Sequence, residues 1–165
     1  MRSAFLPVSL FLALVVIFCG PADATCTGLG CSCSVSADDL SFGSYDPLSA
    51  SNHDATGEVR VTCGAIVAAV TVSYTISLSS GSSGNRLART MAKGGSTLAY
   101  NLYTNPSHAS IWGNGSGGTV TLGNSYSLSL LFPKTDTFPV YGRIPPGQTV
   151  GAGSYSDSLV ATVTF

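Results

Sequence analysis

The feature that most constrains the fold is a strict alternation of apolar and small polar residues. It is clearest in Val70–Leu78, where Val, Val, Tyr, Ile and Leu share one face and Thr or Ser occupies the other. A period of two is that of a half-buried β-strand. The C-terminal residues repeat it with Leu159, Ala161, Val163 and Phe165 on one face, and helical periodicity is absent. The chain is therefore predicted to be all-β.

Clusters of Gly, Pro, Asn and Asp divide the chain into short extended segments. A polar loop is predicted over residues 49–57 and a break over 133–137. Short strands at this spacing predict one two-sheet sandwich with no second domain. The predicted strands cover residues 33–42, 58–63, 70–78, 86–92, 98–104, 119–122, 125–132, 138–144 and 157–165.

The first 24 residues resemble a secretory signal. Arg2 supplies a positive start, Ala4–Phe18 is an apolar core too short to span a bilayer comfortably, and Ala22-Asp23-Ala24 is an A-x-A cleavage signature. Cys19 could indicate a lipoprotein, but bulky Phe18 stands where a small residue would be needed. We expect residues 1–24 to be removed and residues 25–165 to form the exported domain.

Cysteine usage agrees with export. Of the five cysteines, Cys26, Cys31, Cys33 and Cys63 follow the predicted leader. An even number in an exported chain indicates two disulfides, for which three pairings are possible. We favour Cys33–Cys63 together with Cys26–Cys31. The alternative is a metal site, but the spacing C-x4-C-x-C matches no common zinc pattern.

The charge and the motifs do not indicate an enzyme. Charged residues make up 9% of the chain and the formal net charge is −1, so nucleic acid and anionic lipid are not expected partners. Gly113, Gly115 and Gly118 spell G-x-G-x-x-G, but without the strand and helix of a dinucleotide site. His53 and His108 are isolated. We expect no catalytic residue, no cofactor and no metal.

Trp112, the only tryptophan, admits two interpretations. It could anchor its irregular loop in the core, or it could be an exposed aromatic in a surface-contact loop that binds a surface or glycan. Arg86, Arg89 and Arg143 are expected to be solvated or paired with Asp136 or Asp157.

Several segments together resemble the spore coat protein U domain family, which includes subunits of archaic chaperone–usher pili. They occur in the expected order over almost the whole predicted mature chain. They are Cys33–Pro47, Gly57–Cys63, R-x-x-x-x-M at 86–91, Tyr100–Asn105, Ile111–Gly115, Tyr141–Gln148 and Gly153–Phe165.

The resemblance implies an immunoglobulin-like sandwich that lacks its last strand. An apolar acceptor groove, lined by Leu159, Ala161, Val163 and Phe165, would be filled by a periplasmic chaperone and then by the N-terminal strand of another pilus subunit, at an outer-membrane usher. Such a protein would pass through the periplasm to a cell-surface fibre. A chain that ends at Phe165 inside an apolar strand would need this edge covered.

The sequence departs from the pilin pattern before its first strand. Thr25–Ser32, T-C-T-G-L-G-C-S, holds one aliphatic side chain, two glycines and two cysteines. This is a poor donor strand. The chain is therefore expected to accept a strand but not to donate one, as at a fibre end. The alternative is a free-standing secreted binding domain that does not polymerise.

Overall fold

A computed structural model describes residues 13–18, 30–66, 70–129 and 132–165. These residues form β-strands and one short 3-10 turn, Gly81–Ser83. The strands are β1 (Ala13–Phe18), β2 (Cys31–Ala37), β3 (Leu40–Gly43), β4 (His53–Ala65), β5 (Val70–Leu78), β6 (Arg89–Lys93), β7 (Ser96–Tyr103), β8 (Leu122–Leu128), β9 (Lys134–Ile144) and β10 (Tyr155–Thr164).

The strands form one curled sheet in the order β2-β4-β9-β7-β6-β10-β1-β3, and β5 pairs with both β10 and β8. The pair β1–β10 is parallel, and the other strand pairs between described residues are antiparallel. Residues from all the strands contribute to one core. The predicted all-β sandwich is confirmed, and its layers are parts of one sheet joined along a continuous hydrogen-bonded path.

The alternating segments form the centre of the core. β5 matches its predicted bounds, and its even-numbered residues, from Val70 to Leu78, are all buried. β10 alternates in the same way along its whole length, with its odd-numbered side chains inward. Because each strand covers one face with apolar side chains, the core is closed by stacking these faces. Arg89, Asn101, Thr119 and Asp157 are the buried polar residues of the described chain.

The predicted first strand is divided in two. β2 pairs with β4 as far as Ala37, whereas β3 pairs with β1. Between them, the Asp38 amide donates to the Glu58 carbonyl at 3.0 Å and the Asp38 carboxylate accepts from Arg60. The chain changes its partner strand at this point, so one continuous strand is not possible.

Two predictions of irregular structure are wrong. The polar loop over residues 49–57 is shorter, because β4 begins at His53, and the break over 133–137 falls largely within β9. These segments pair with β9 and β4 respectively, in a register from His53↔Ile144 to Cys63↔Lys134. The first halves of both strands contain no fully buried side chain. They therefore lack the apolar alternation by which strands are identified, and backbone pairing holds them instead.

Candidate functional site

The candidate site is the edge of β10 that faces β3, here called the acceptor edge. Of the residues predicted to line it, Leu159, Ala161 and Val163 are 0%, 7% and 8% exposed. Phe165 follows the end of β10, is 36% exposed and lies 5.7 Å from the Tyr74 ring, centroid to centroid. The predicted inward face is therefore present, with Phe165 at its partly exposed end.

β1 occupies part of this edge. It runs parallel to β10 in a register from Ala13↔Tyr155 to Phe18↔Val160, and antiparallel to β3, where Val15 is paired with Leu40. Ala13 is 1% exposed and Val15 is 0% exposed. A segment from the apolar part of the predicted leader thus lies between β3 and the last strand of the domain, β10.

The covered part of the edge is limited. The register of β1 against β10 ends at Val160, and in the described chain Ala161–Thr164 pair with β5 alone. In the same sheet order, β1 lies between β10 and β3, on the opposite side of β10 from β6. The gap between β10 and β3 therefore has the width of one strand.

A buried carboxylate lies behind the covered half of the edge. Asp157 is 4% exposed, and it is in register with Val15 of β1. Its carboxylate accepts hydrogen bonds from the Tyr100 hydroxyl at 2.7 Å and from the Ser82 and Ser158 amides at 2.9 Å each. Burial, with Asp157 beside it, raises the pKa of Tyr100 well above its usual range. The hydroxyl therefore remains a donor, and Asp157 is fully engaged as an acceptor.

Arg89 is wholly buried next to this carboxylate. Its guanidinium donates to the Ser79 carbonyl at 2.7 Å, to the Trp112 carbonyl at 2.8 Å and to the Asn101 side-chain oxygen at 2.7 Å. Burial lowers the pKa of Arg89 to about 10, so it remains charged at neutral pH. Arg89 was expected to be solvated or paired with an aspartate. Both expectations are wrong, because it is buried and its donors are directed at carbonyl and amide oxygens.

The surface-contact interpretation of Trp112 is wrong. The indole is 0% exposed, and its Nε1–H donates to the Ile76 carbonyl at 3.0 Å. The Trp112 amide also donates to the Leu102 carbonyl at 2.9 Å. Trp112 is therefore a core anchor that fixes its loop, and the indole is not available to a surface or glycan.

The disulfide Cys33–Cys63 is present and joins directly opposed residues of β2 and β4. Cys31 also takes part in a disulfide. Its predicted partner, Cys26, lies outside the described residues, so the pairing Cys26–Cys31 stays a prediction.

The two histidines lie near one ion pair at the other end of β4. Asp54 accepts two hydrogen bonds of 2.7 Å from Arg143, and these, with weaker contributions from His108 and His53, lower the pKa of Asp54. His108 Nε2 is 3.9 Å from Asp54. No cluster of three or more His, Cys, Asp or Glu suited to a metal occurs in the described ranges.

Sequence reasoning missed half of the acceptor edge. Tyr155 and Asp157 extend its inward face, and β3 forms its opposite side. Tyr155 could have been found from the alternation, since it continues the odd-numbered series. The pairing of β1 carries no such signal, because Ala13–Phe18 is uniformly apolar and is typical of a leader.

Three comparisons with known proteins bear on this chain. The model of the Spore Coat Protein U domain matches residues 23–162. Protein U of Myxococcus xanthus is 38% identical over 135 residues, which cover 76% of this chain and 71% of that protein.

A solved structure is also similar to this chain. It is the chaperone–tip adhesion subunit pre-assembly complex CsuC–CsuE from archaic chaperone–usher Csu pili of Acinetobacter baumannii. The match has 20% identity and a TM-score of 0.48, and it covers 82% of this chain but only 40% of that chain. Within the described residues, no helix has the length and hydropathy needed to cross a bilayer.

Proposed function

The chain belongs to the spore coat protein U domain family, and on that premise we propose that it is an exported, non-enzymatic subunit of a surface fibre that accepts a donor β-strand between β10 and β3. The donor would come first from a periplasmic chaperone and then from another subunit at an outer-membrane usher. The domain would comprise residues 25–165 after removal of the leader.

The observation that carries this proposal is the position of β1. The strand that fills the gap between β10 and β3 belongs to the segment predicted to be removed on export. Without it, Leu40 and the inward face of β10 would lose their covering strand. Exposed apolar side chains and unpaired backbone groups at a strand edge favour pairing with another chain.

We also propose that the subunit lies at a fibre end. β2 already begins at Cys31 and pairs with β4 through Cys31↔Ala65. With cleavage after Ala24, only residues 25–30 would precede the sandwich. At roughly 3.3 Å per residue, they would span about 20 Å when fully extended, and they include two glycines and Cys26. It is no longer than β1 and would also have to bridge the distance between two sandwiches, so we expect it to be a poor donor strand for a neighbour.

The test is capture of a donor strand at a chosen position. Ser158 is exposed on β10, and Thr97 is exposed on β7, away from the acceptor edge. The exported chain carrying Ser158→Cys or Thr97→Cys would be co-expressed with a candidate chaperone that carries single cysteines along its donor strand. A disulfide between the chaperone and Ser158→Cys, and none with Thr97→Cys, supports the proposal.

A second pair of variants tests the inward face of the edge. Leu159→Asp should abolish co-purification with the chaperone, because Leu159 is 0% exposed and the substitution places a carboxylate on the inward face of the edge. Val160→Asp should retain co-purification, because Val160 is 48% exposed and lies on the other face. A stable monomeric domain that needs no partner would instead favour the free-standing binding domain.

A further inference from the structure

The occupant of the acceptor edge is a segment of the same chain. We infer that in the uncleaved precursor residues 13–18 serve as a donor strand in cis, so that the leader closes the acceptor edge and its removal opens it. The inference rests on the proposed function, because it assigns a first occupant to the same groove.

The pairing of β1 is two-sided. It is parallel to β10 over six positions and antiparallel to β3 over three, and a bulge lies between Ala13 and Leu14. An apolar peptide that was only collapsed on the surface would cover one face without a backbone register. Insertion between two strands satisfies backbone groups on both edges of β1, as in β-augmentation.

The side chains distinguish the two faces of β1. Ala13 and Val15 are fully buried, opposite Tyr155 and Asp157, whereas Leu14 between them is only half-buried. A small residue is thus placed against a tyrosine, and a β-branched residue against the buried carboxylate. The inserted strand therefore has a preferred register, which variants at Val15 and Leu14 can test separately.

Occupation in cis would exclude a donor strand from another molecule. Both would need the same edge of β10 over Tyr155–Val160 and the same space beside Leu40. A tethered strand acts at the high effective concentration of an intramolecular partner, so a free strand would compete poorly. Proteolytic release of such a segment is a general form of molecular switch. Cleavage of the leader would thereby determine when the subunit becomes able to assemble.

The experiment uses the full chain with a protease recognition sequence inserted between Ala24 and Thr25. It is refolded under oxidising conditions in the absence of signal peptidase. Three forms are compared: the unsubstituted chain, Val15→Asp and Leu14→Asp. The two substitutions change the leader's charge equally and differ in the face that they alter. The probe is a fluorescent peptide of residues 13–18 with lysines added at both ends.

We expect the uncut chain to bind the probe at least about tenfold more weakly than the cut chain. Val15→Asp should bind the probe without cutting. Its melting temperature should fall by about 10 °C, because the cost of placing a carboxylate against Asp157 expels β1 and removes its contribution to stability. Leu14→Asp should stay close to the unsubstituted chain.

Equal probe binding before and after cutting would overturn the inference, as would equal melting temperatures for the two variants. If Val15→Asp does not fold, addition of the unsubstituted peptide in trans should restore its folding, and a peptide carrying the same substitution should not. The proposed function fails separately, if the cut chain stays monomeric and binds neither the probe nor a chaperone.

Discussion

Replacement of the buried Arg89 should be among the most destabilising single changes in the domain. Its side chain is 0% exposed and donates to three carbonyls, of Ser79, Trp112 and Arg86, and to the side-chain oxygen of Asn101. Arg89→Met keeps much of the side-chain volume but removes every donor. Two buried and two partly buried acceptors would then lose a charged partner, and Asp157 would lose a neighbouring positive charge.

The expected loss follows from these contacts. Leaving a buried acceptor without a partner costs about 1–3 kcal/mol, and the apolar methionine offsets part of the total. Removing one member of a buried charged network typically costs about 3–5 kcal/mol. We therefore expect the free energy of unfolding to fall by about 4 kcal/mol, which is a shift of about 1 M in the guanidinium midpoint.

Arg60→Met is the matched control. Arg60 also lies in a strand, donates two hydrogen bonds to the Asp38 carboxylate and forms an ion pair with Glu58, but its side chain is 35% exposed. We expect a loss below about 1 kcal/mol for this variant. Guanidinium unfolding of the full chain, followed by the fluorescence of the single tryptophan, measures both. If both variants lowered the free energy of unfolding equally, with the same slope against guanidinium concentration, the buried contacts of Arg89 would not be the source of the stability.

The other predictions concern the disulfide and two pH ranges. Replacing Cys33 and Cys63 by Ser removes a crosslink over a sequence separation of 30 residues and should cost about 3–4 kcal/mol in guanidinium unfolding; an unchanged midpoint would contradict this. Burial, with Asp136 nearby, raises the pKa of Tyr126 to about 12. The contribution of Tyr126 to the free energy of unfolding should therefore be fully present below about pH 10 and decline towards about pH 12, because the tyrosine of the unfolded chain ionises first. Phenolate absorbance from Tyr126 below about pH 10 in the folded chain would contradict this. The pKa of Asp54 is lowered by Arg143, so its contribution should be complete above about pH 4 and be lost as the pH falls further. In thermal melts at different pH, Asp54→Asn should lose less stability below about pH 4 than the unsubstituted chain. The same dependence of melting temperature on pH in both chains would exclude a contribution from Asp54.

Much of the fold was predictable wherever an inward face is apolar. β5 has its predicted bounds, and β10 starts two residues before its predicted bound. The Cys33–Cys63 pairing was favoured from the sequence, and it lies between opposed residues of neighbouring strands. In each case the local pattern and the tertiary partners agree, so local evidence was sufficient.

Prediction failed where backbone pairing, rather than apolar burial, holds the chain. The first half of β4 and the first half of β9 contain no fully buried residue. Each is paired with the second half of the other strand, and this pairing makes it a strand. Arg89 and Trp112 were uncertain for a related reason. Arginine is normally exposed, and its burial depends on carbonyls that only the folded chain brings together.

The sequence by itself determined the all-β class, the alternation that turns the odd-numbered residues of β10 inward, and the apolar character of residues 13–18. A period of two specifies which face is buried, but it does not specify which strand lies alongside. Only the tertiary structure decided that β1 lies between β10 and β3, with Val15 opposite Asp157. The reason is that strand pairing is made by backbone groups, which are the same at every residue, so the partner is chosen by the space that the rest of the sandwich leaves open.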